Sequence, residues 1–269
     1  MKNKLKIKIF IVLFFFNIIQ NKANTDEIIF NTKNLDIVNN GNTIKAGLGH
    51  ILSNKDNIKI KAESFNYDKI SSLIKADKAF VELKDKKINI KADKIIYNSK
   101  LSTINAIGNV QITKLENKAI IKSDNIFYQK EKEIISSIVK SVLIDRHGNN
   151  ITSDSFIFTL INNEIKITNA QIKDINNNVY YLEKGFVNLT TDQLTGKDVS
   201  IDFANDYFNA NNQPRLKGRA LSHNNNETII EKGIFTTCKK NDDCPPWQFL
   251  AKEIVHDKKK KLLIIKMLC

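Results

Sequence analysis

Apolar and polar residues alternate along most of this chain. The pattern is clear in "NIKIKA" (57–62) and "KINIKA" (87–92), where isoleucine and alanine take every second position and lysine or asparagine lies between them. Strict alternation predicts β-strands with one buried and one exposed face. A helix is disfavoured, because the same lysines would surround it and leave no apolar stripe.

A repeat of about 30 residues organises the central part of the chain. Four similar segments begin 30, 31 and 30 residues apart: "IKAESFNYDK" (60–69), "IKADKIIYNS" (90–99), "IKSDNIFYQK" (121–130) and "ITSDSFIFTL" (151–160). A second series lies between them: "KAFVEL" (78–83), "GNVQIT" (108–113), "KSVLID" (140–145) and "NAQIKD" (169–174). Such a repeat predicts stacked units that share one core.

The alternation slips by one residue inside every repeat. After Ala62 and Ala92 the next apolar position comes three residues later, where two is expected, and the same slip follows Ser123 and Ser153. An extra residue at a fixed place predicts a bulge or corner that bends the strand. We therefore predict an all-β fold in which the chain passes repeatedly between two sheets joined along an edge. Isoleucine, valine, phenylalanine and alanine would line its interior.

The N-terminus carries a different signal. Four lysines within residues 2–8 precede the apolar run "IFIVLFFFNII" (9–19), and the small residue Ala23 follows. This order predicts a secretory signal peptide over residues 1–23. The run is shorter than the about 20 apolar residues that a spanning helix needs.

The formal net charge of +13 does not by itself predict a partner. Lysines are spread along the chain, whereas nucleic-acid binding favours a localised basic face, so we expect no nucleic-acid partner. A polyanionic lipid surface is left open.

We find no arrangement of residues that predicts catalysis, a metal site or a cofactor. The sequence has no phosphate-binding glycine loop and no nucleophile elbow. The four histidines are predicted to lie in solvated loops: His50, His147, His223 and His256. The aspartates of the repeats are predicted to serve turns and corners: Asp68, Asp77, Asp93, Asp124 and Asp154.

Three cysteines occur, Cys238, Cys244 and Cys269. With only His256 nearby they are too few for a structural zinc site, which takes four ligands. Export to an oxidising compartment would favour a disulfide between Cys238 and Cys244.

Several segments together resemble a known family. They are "NAIGNVQIT" (105–113), "LTTDQLTGKDVSIDF" (189–203), "QPRLKGRAL" (213–221) and "GIFTTCKKNDDCPPWQFLAKEIVHDKKKK" (233–261). With the signal peptide they resemble the N-terminal periplasmic portion of the LptD family of lipopolysaccharide assembly proteins. The repeat alone is equally similar to LptA and to other members of the OstA-like family.

The resemblance implies a domain organisation. Residues 24–185 would form an OstA-like curved antiparallel β-jelly roll, and residues 186–257 a segment of strands and loops leading to a β-barrel. Because the expected barrel sequence does not follow, we interpret residues 258–269 as an out-of-frame tail and the chain as truncated. The alternative is a short protein with an apolar C-terminal strand. In the full family, the two cysteines could also pair with partners beyond the truncation.

The resemblance further implies a non-catalytic role without cofactors, in lipopolysaccharide transport and assembly at the outer membrane. The implied partners are lipopolysaccharide, a periplasmic bridge protein of the LptA type bound by edge-strand pairing and, in the full-length family, an outer-membrane lipoprotein. The location would be the periplasmic face of the outer membrane, or the periplasm if the truncation is real. Residues expected to contact acyl chains, or else to form a closed core, are Ile58, Ile60, Ile88, Ile90, Val110 and Ile112.

Two alternative functions are left open. One is a stand-alone bridge protein similar to LptA. The other is a parallel β-helix that acts as an adhesin or polysaccharide lyase. The direction of strand pairing distinguishes the second from the transport fold, which is antiparallel.

Overall fold

The computed structural model describes residues 28–204, 212–224, 226–238, 247–260 and 262–267. The predicted signal peptide, Cys244 and Cys269 lie outside these ranges. The described residues form one 3₁₀ turn, Lys84–Lys86, and 21 strands: β1 (Ile28–Thr32), β2 (Leu35–Val38), β3 (Thr43–Ala46), β4 (Gly49–Ser53), β5 (Ile58–Ala62), β6 (Ser64–Asp68), β7 (Leu73–Leu83), β8 (Ile88–Asn98), β9 (Thr103–Lys114), β10 (Ile120–Gln129), β11 (Ile134–Ser137), β12 (Ser141–Ile144), β13 (Asn150–Ser153), β14 (Ser155–Thr159), β15 (Glu164–Lys173), β16 (Val179–Asn188), β17 (Gln193–Asp202), β18 (Arg215–His223), β19 (Glu227–Thr236), β20 (Phe249–Asp257) and β21 (Leu262–Met267).

Every strand pairing among the described residues is antiparallel. The predicted all-β, antiparallel fold is therefore confirmed. The alternative of a parallel β-helix is wrong, because its strands would pair in the opposite sense.

The long strands take part in two ladders at once. The first half of β7 pairs with β6 and the second half with β5. The same division recurs where β10 meets β11 and β12, and where β15 meets β14 and β13. Sheet A contains β2, β3, β6, β11 and β14 and the halves of the long strands that continue their ladder, such as residues 94–98 of β8 and 184–188 of β16. Sheet B contains β1, β4, β5, β12 and β13 and the other halves, such as residues 88–91 of β8 and 179–182 of β16.

The two sheets meet at corners where the alternation slips, as the sequence predicts. In β7 the buried Ala76 and Ala79 flank the exposed Asp77 and Lys78, so both halves of the strand keep an apolar inner face. A residue with positive φ lies at the corner of every second long strand: Lys78 (φ 47), Asn109 (φ 46), Asn169 (φ 48), Asp198 (φ 49) and Lys232 (φ 50). Such residues mark an extra position in the strand and a local bend.

Four of the five repeat aspartates lie at corners, namely Asp77, Asp93, Asp124 and Asp154. The Oδ2 atoms of Asp93 and Asp154 accept hydrogen bonds from side chains on the neighbouring strand. Asp68 instead begins the turn between β6 and β7. Its Oδ1 accepts a hydrogen bond from the backbone N–H of Ile70 at 2.9 Å.

The core lies between sheets A and B. The inward side chains of both sheets belong to one continuous cluster, dominated by isoleucine with alanine, valine, leucine and aromatic residues. In sheet B, Val81 pairs with Ile60 and Ile90, and Ile90 pairs with Ile112, so a row of branched side chains crosses neighbouring strands. The interior predicted from the alternation is thus observed.

Residues 262–267, part of the segment that the sequence predicts to be an out-of-frame tail, form β21. This strand pairs with β20 from Asp257↔Leu262 to Ala251↔Met267. Leu263 and Ile265 pack against the core, while Leu262 and Ile264 are exposed. The segment therefore extends the sheet.

Candidate functional site: the space between the two sheets

The hairpin turns of the two sheets meet on the side opposite the corners. We call this line the seam. Sheet B contributes turns 54–57, 84–87, 115–119 and 145–149, and sheet A contributes turns 99–102, 130–133 and 189–192. Side-chain contacts between these turns decide where the interior is closed.

The first closure is built around Asp56 of sheet B, whose side chain is only 1% exposed. Its Oδ1 accepts hydrogen bonds from Ser102 Oγ at 2.9 Å and from Lys130 Nζ at 3.1 Å, and its Oδ2 accepts one from the Tyr97 hydroxyl. These three partners belong to sheet A. A buried carboxylate is costly unless it is paired and hydrogen-bonded, so this cluster holds the two sheets together.

Two further contacts continue the closure. Lys86 of sheet B forms an ion pair with Glu133 of sheet A. The Asn117 side-chain amide donates a hydrogen bond to the Leu189 carbonyl at 3.2 Å, again from sheet B to sheet A. The two residues of each pair are tens of residues apart in the sequence. These contacts therefore form only when the repeats stack.

The last closure is formed by Asp192 of sheet A. Its carboxylate contacts Arg146 and lies 2.8 Å from His147 Nε2, and both partners belong to sheet B. Burial raises the pKa of the Asp192 carboxyl, but the hydrogen bonds and charges of these two partners outweigh burial, so the net pKa is lowered. The ionised form is therefore favoured at this point of the seam.

Beyond Asp192 the two sheets surround a cavity of about 760 Å³. Sheet B contributes Tyr180, Phe203 and Phe235 to its wall, while the last two strands and their connecting turn contribute His256, Lys258 and Leu263. The volume lies within the range of small-ligand sites. We call this space the C-terminal cavity.

A hydrogen-bonded chain at the edge of this cavity fixes a proton position. Lys258 Nζ lies 3.1 Å from His223 Nε2 and donates to the Asn224 carbonyl at 2.6 Å. His223 Nδ1 lies 2.8 Å from Thr228 Oγ1. Because an ammonium only donates, Nε2 accepts and Nδ1 carries the proton. Burial and the neighbouring Lys258 charge lower the pKa of His223 to about 3, in agreement with this neutral form.

Burial also lowers the pKa of His256 and that of Lys258. The imidazole of His256 packs edge-on against the ring of Phe203, with 5.8 Å between ring centroids, and so joins the last strands to sheet B. The cavity thus combines aromatic walls with a cation that is partly removed from water.

Asp174 contributes a carboxylate to the cavity wall, and its own turn and Tyr180 supply its hydrogen bonds. Its Oδ1 accepts hydrogen bonds from the backbone N–H groups of Asn176 and Asn178, both at 2.9 Å. Its Oδ2 accepts from the Asn178 side chain at 2.8 Å and from the Tyr180 hydroxyl at 3.2 Å.

The six residues predicted to contact lipid all lie on the inner face of sheet B. Their exposed fractions are 2% or less: Ile58, Ile60, Ile88, Ile90, Val110 and Ile112. In this state they belong to the packed core. An acyl chain would reach them only if the sheets separated at the seam.

The prediction of solvated loop histidines is wrong for three of the four. His50, His223 and His256 lie in strands β4, β18 and β20. A signal for the last two was present, because each lies two residues after a buried apolar residue, Leu221 or Ile254. Alternate residues of a strand share a face, so these histidines point toward the interior.

The predicted Cys238–Cys244 disulfide includes a residue outside the described ranges, Cys244. Cys238 is half-buried, and its Sγ lies 3.7 Å from the Trp247 carbonyl oxygen.

The N-terminal end of the stack carries two edge strands. Among the described residues, β1 pairs with β4 alone and β2 pairs with β3 alone. Leu35 and Ile37 of β2 are exposed, the latter to 59%. An exposed edge of this kind can accept a further strand.

Within the described part of the chain, no group of three or more histidine, cysteine or acidic side chains is placed to hold a metal ion. In the same residues we find no helix with the length and apolar character needed to cross a membrane.

Similarity to known proteins is found in the structure and not in the sequence. No protein-family model and no curated protein matches this sequence. The chain is similar to the crystal structure of LptH, the LptA-homologous periplasmic component of the lipopolysaccharide transport device from Pseudomonas aeruginosa. The sequence identity is 12% and the TM-score 0.37, and the match covers 46% of this chain and 87% of that one.

Proposed function

We propose that this protein is a non-catalytic, periplasmic component of lipopolysaccharide transport that holds acyl chains between sheets A and B. The observation that carries the proposal is an apolar interior between two antiparallel sheets, closed by polar side chains along the seam and bordered at its C-terminal end by the C-terminal cavity. Each methylene that leaves water for such an interior contributes about 0.8 kcal/mol.

Acyl contact with the interior requires the seam to open. The closing contacts are hydrogen bonds and ion pairs between turns, such as Lys86 with Glu133 and Asn117 with Leu189. Contacts of this type exchange with water at modest net cost. The buried Asp56 cluster must separate as well before the inner residues Ile60, Ile90 and Val110 line a groove.

The same proposal includes protein partners. The exposed edges of β1 and β2 favour addition of a strand from a bridge protein of the LptA type. The sequence motifs in residues 189–261 favour the lipopolysaccharide-receiving domain of the LptD family at the periplasmic face of the outer membrane, where an outer-membrane lipoprotein would be the further partner. A stand-alone bridge protein similar to LptA is the alternative. The repeat in the central part of the chain is the observation that favours it.

Site-specific photo-crosslinking tests the lipid contact. A diazirine amino acid close in size to isoleucine would replace Ile60, Ile90 or Val110, which face inward. Matched controls at Lys59, Lys91 and Gln111 lie one position away on the other face of the same strands. We expect lipid A to be labelled from the inward positions only. Equal labelling from both sets would contradict the groove.

We also propose that Cys238 and Cys244 form a disulfide in the exported protein. The short loop between them would limit the stabilisation to about 2 kcal/mol. Mass spectrometry of the non-reduced protein tests the pairing, and two free thiols would show it to be wrong.

A further inference from the structure

We propose that the C-terminal cavity is a binding site for an anionic amphiphile, with the acyl chain against Phe203, Phe235 and Leu263 and the anionic head at Lys258. The inference deepens the proposed function and rests on it for the choice of natural ligand. The C-terminal cavity is already present in the closed structure. It lies at the C-terminal end of the stack, far in sequence from the six buried residues of sheet B.

The cavity walls favour an alkyl chain. Phe203 and Leu263 both line the cavity and pack against the core, and both are only partly buried. Phe235 adds a third apolar side chain and contacts Trp247, with 6.3 Å between ring centroids. Apolar walls with a few placed polar groups are typical of ligand cavities.

Lys258 supplies the polar end of the site. Among the described residues, the Lys258 ammonium donates to two neutral acceptors, His223 Nε2 and the Asn224 carbonyl. An ammonium has three N–H donors, one more than these acceptors use. A partly buried cation is costly unless a charge or several hydrogen bonds compensate it. A phosphate or carboxylate head would supply the missing charge.

Asp174 does not occupy the position of the anionic head group beside Lys258. Its two oxygens already accept four hydrogen bonds from its own turn and from Tyr180. Its negative charge favours the protonated form of Lys258 from a distance. The head group is therefore expected on the Lys258 side of the cavity, away from the turn at 174–178.

Three probes separate the two parts of the ligand. Dodecyl phosphate has both chain and anion, dodecyl maltoside has the chain without charge, and inorganic phosphate has the anion alone. Binding is followed below the micelle concentration by the fluorescence of Trp247, the single tryptophan of the chain, which lies beside the cavity wall. We expect dodecyl phosphate to bind most tightly.

Matched variants assign the contacts. Lys258→Gln is expected to weaken dodecyl phosphate binding about tenfold, the value of one charge-assisted hydrogen bond, and to leave dodecyl maltoside unchanged. Lys259→Gln, at the exposed neighbouring position, is the control and should change neither. Leu263→Ser should weaken both alkyl ligands. Phe203→Leu repeats that test with a variant that keeps an apolar side chain, should Leu263→Ser not fold.

The experiments test the amphiphile site and the proposed function separately. An unchanged affinity in Lys258→Gln, an equal loss in Lys259→Gln, or equally tight binding of inorganic phosphate would overturn the amphiphile site. Labelling of lipid A from Ile60 with no effect of Lys258→Gln leaves the proposed function standing and removes this inference. If dodecyl phosphate binding depends on Lys258 but lipid A is not labelled from Ile60, Ile90 or Val110, the amphiphile site stands and the proposed function is removed.

Discussion

Asn109 shows how one residue shapes a corner between the sheets. It has a φ of 46°, and its side-chain amide donates a hydrogen bond to Asp93 Oδ2 at 2.7 Å. The preceding Gly108 also has positive φ, and a Cβ there would lie 2.6 Å from the same oxygen. Asparagine tolerates the left-handed region better than most residues. The Gly-Asn pair therefore fits both the backbone and the neighbouring carboxylate.

Replacing Asn109 separates these two contributions. We expect Asn109→Val to lower the free energy of unfolding by about 2 kcal/mol, because a β-branched residue is strained at positive φ and the hydrogen bond to Asp93 is lost. Asn109→Gly loses only the hydrogen bond and should cost less. Urea unfolding measures both, with Gln111→Val on the same strand as the control. Equal losses for valine and glycine would show that backbone strain has no part in it.

Asp192 gives the seam a dependence on acid. Its folded-state pKa is lowered, so the stability it contributes is present above the unfolded pKa of about 4 and is lost as the pH falls through the folded value. We expect Asp192→Asn to be less stable than the unchanged protein at pH 7 and the difference to shrink below pH of about 4. Thermal unfolding across this pH range measures the difference in stability. Asp124→Asn, a substitution at an exposed corner, is the control. A difference that stays constant with pH would contradict the assignment.

The long strands show which features of the fold were predictable from the sequence. The bend in β7 and its relatives follows from a local slip in the apolar alternation, and this signal recurs in every repeat. The seam does not follow in this way, since Lys130 and Asp56 are 74 residues apart and meet only after the sheets have stacked. The left-handed position at Asn109 is suggested by its residue type, whereas the equivalent Lys78 carries no such signal. The C-terminal cavity is likewise a product of non-local packing.

Strand β21 offers a test of how the last element is held. Ile265 packs against the core and Ile264 faces outward on the same strand. We expect Ile265→Asp to release β21, with a loss of about 1–2 kcal/mol and faster amide exchange in β20, because an inward apolar contact is replaced by a charge. Ile264→Asp should leave exchange in β20 nearly unchanged. The reverse order of effects would show that the strand lies with its other face on the core.

At the scale of the whole molecule, the described strands of the two sheets form a stack in which each strand pairs with near neighbours along the chain. Closure of the seam changes along this stack, from the buried Asp56 cluster through the Asp192 contacts to the C-terminal cavity. In repeat architectures, stability is close to a sum of local terms between neighbouring units. One end of the stack can therefore loosen while the other stays folded.

Removing the Asp56 carboxylate tests this independence. Asp56→Ala leaves Lys130, Ser102 and Tyr97 without their shared acceptor, and losing hydrogen bonds to a charged group costs about 2 kcal/mol. We expect hydrogen exchange to quicken in β4, β5 and β8 and to stay unchanged in β16–β19, because the change is confined to the first closure of the seam. Asp124→Ala, at an exposed corner, should affect neither region. If exchange in Asp56→Ala rose equally along the whole chain, the stack would unfold as one cooperative unit, and opening of the seam at a single place would no longer account for access to the interior.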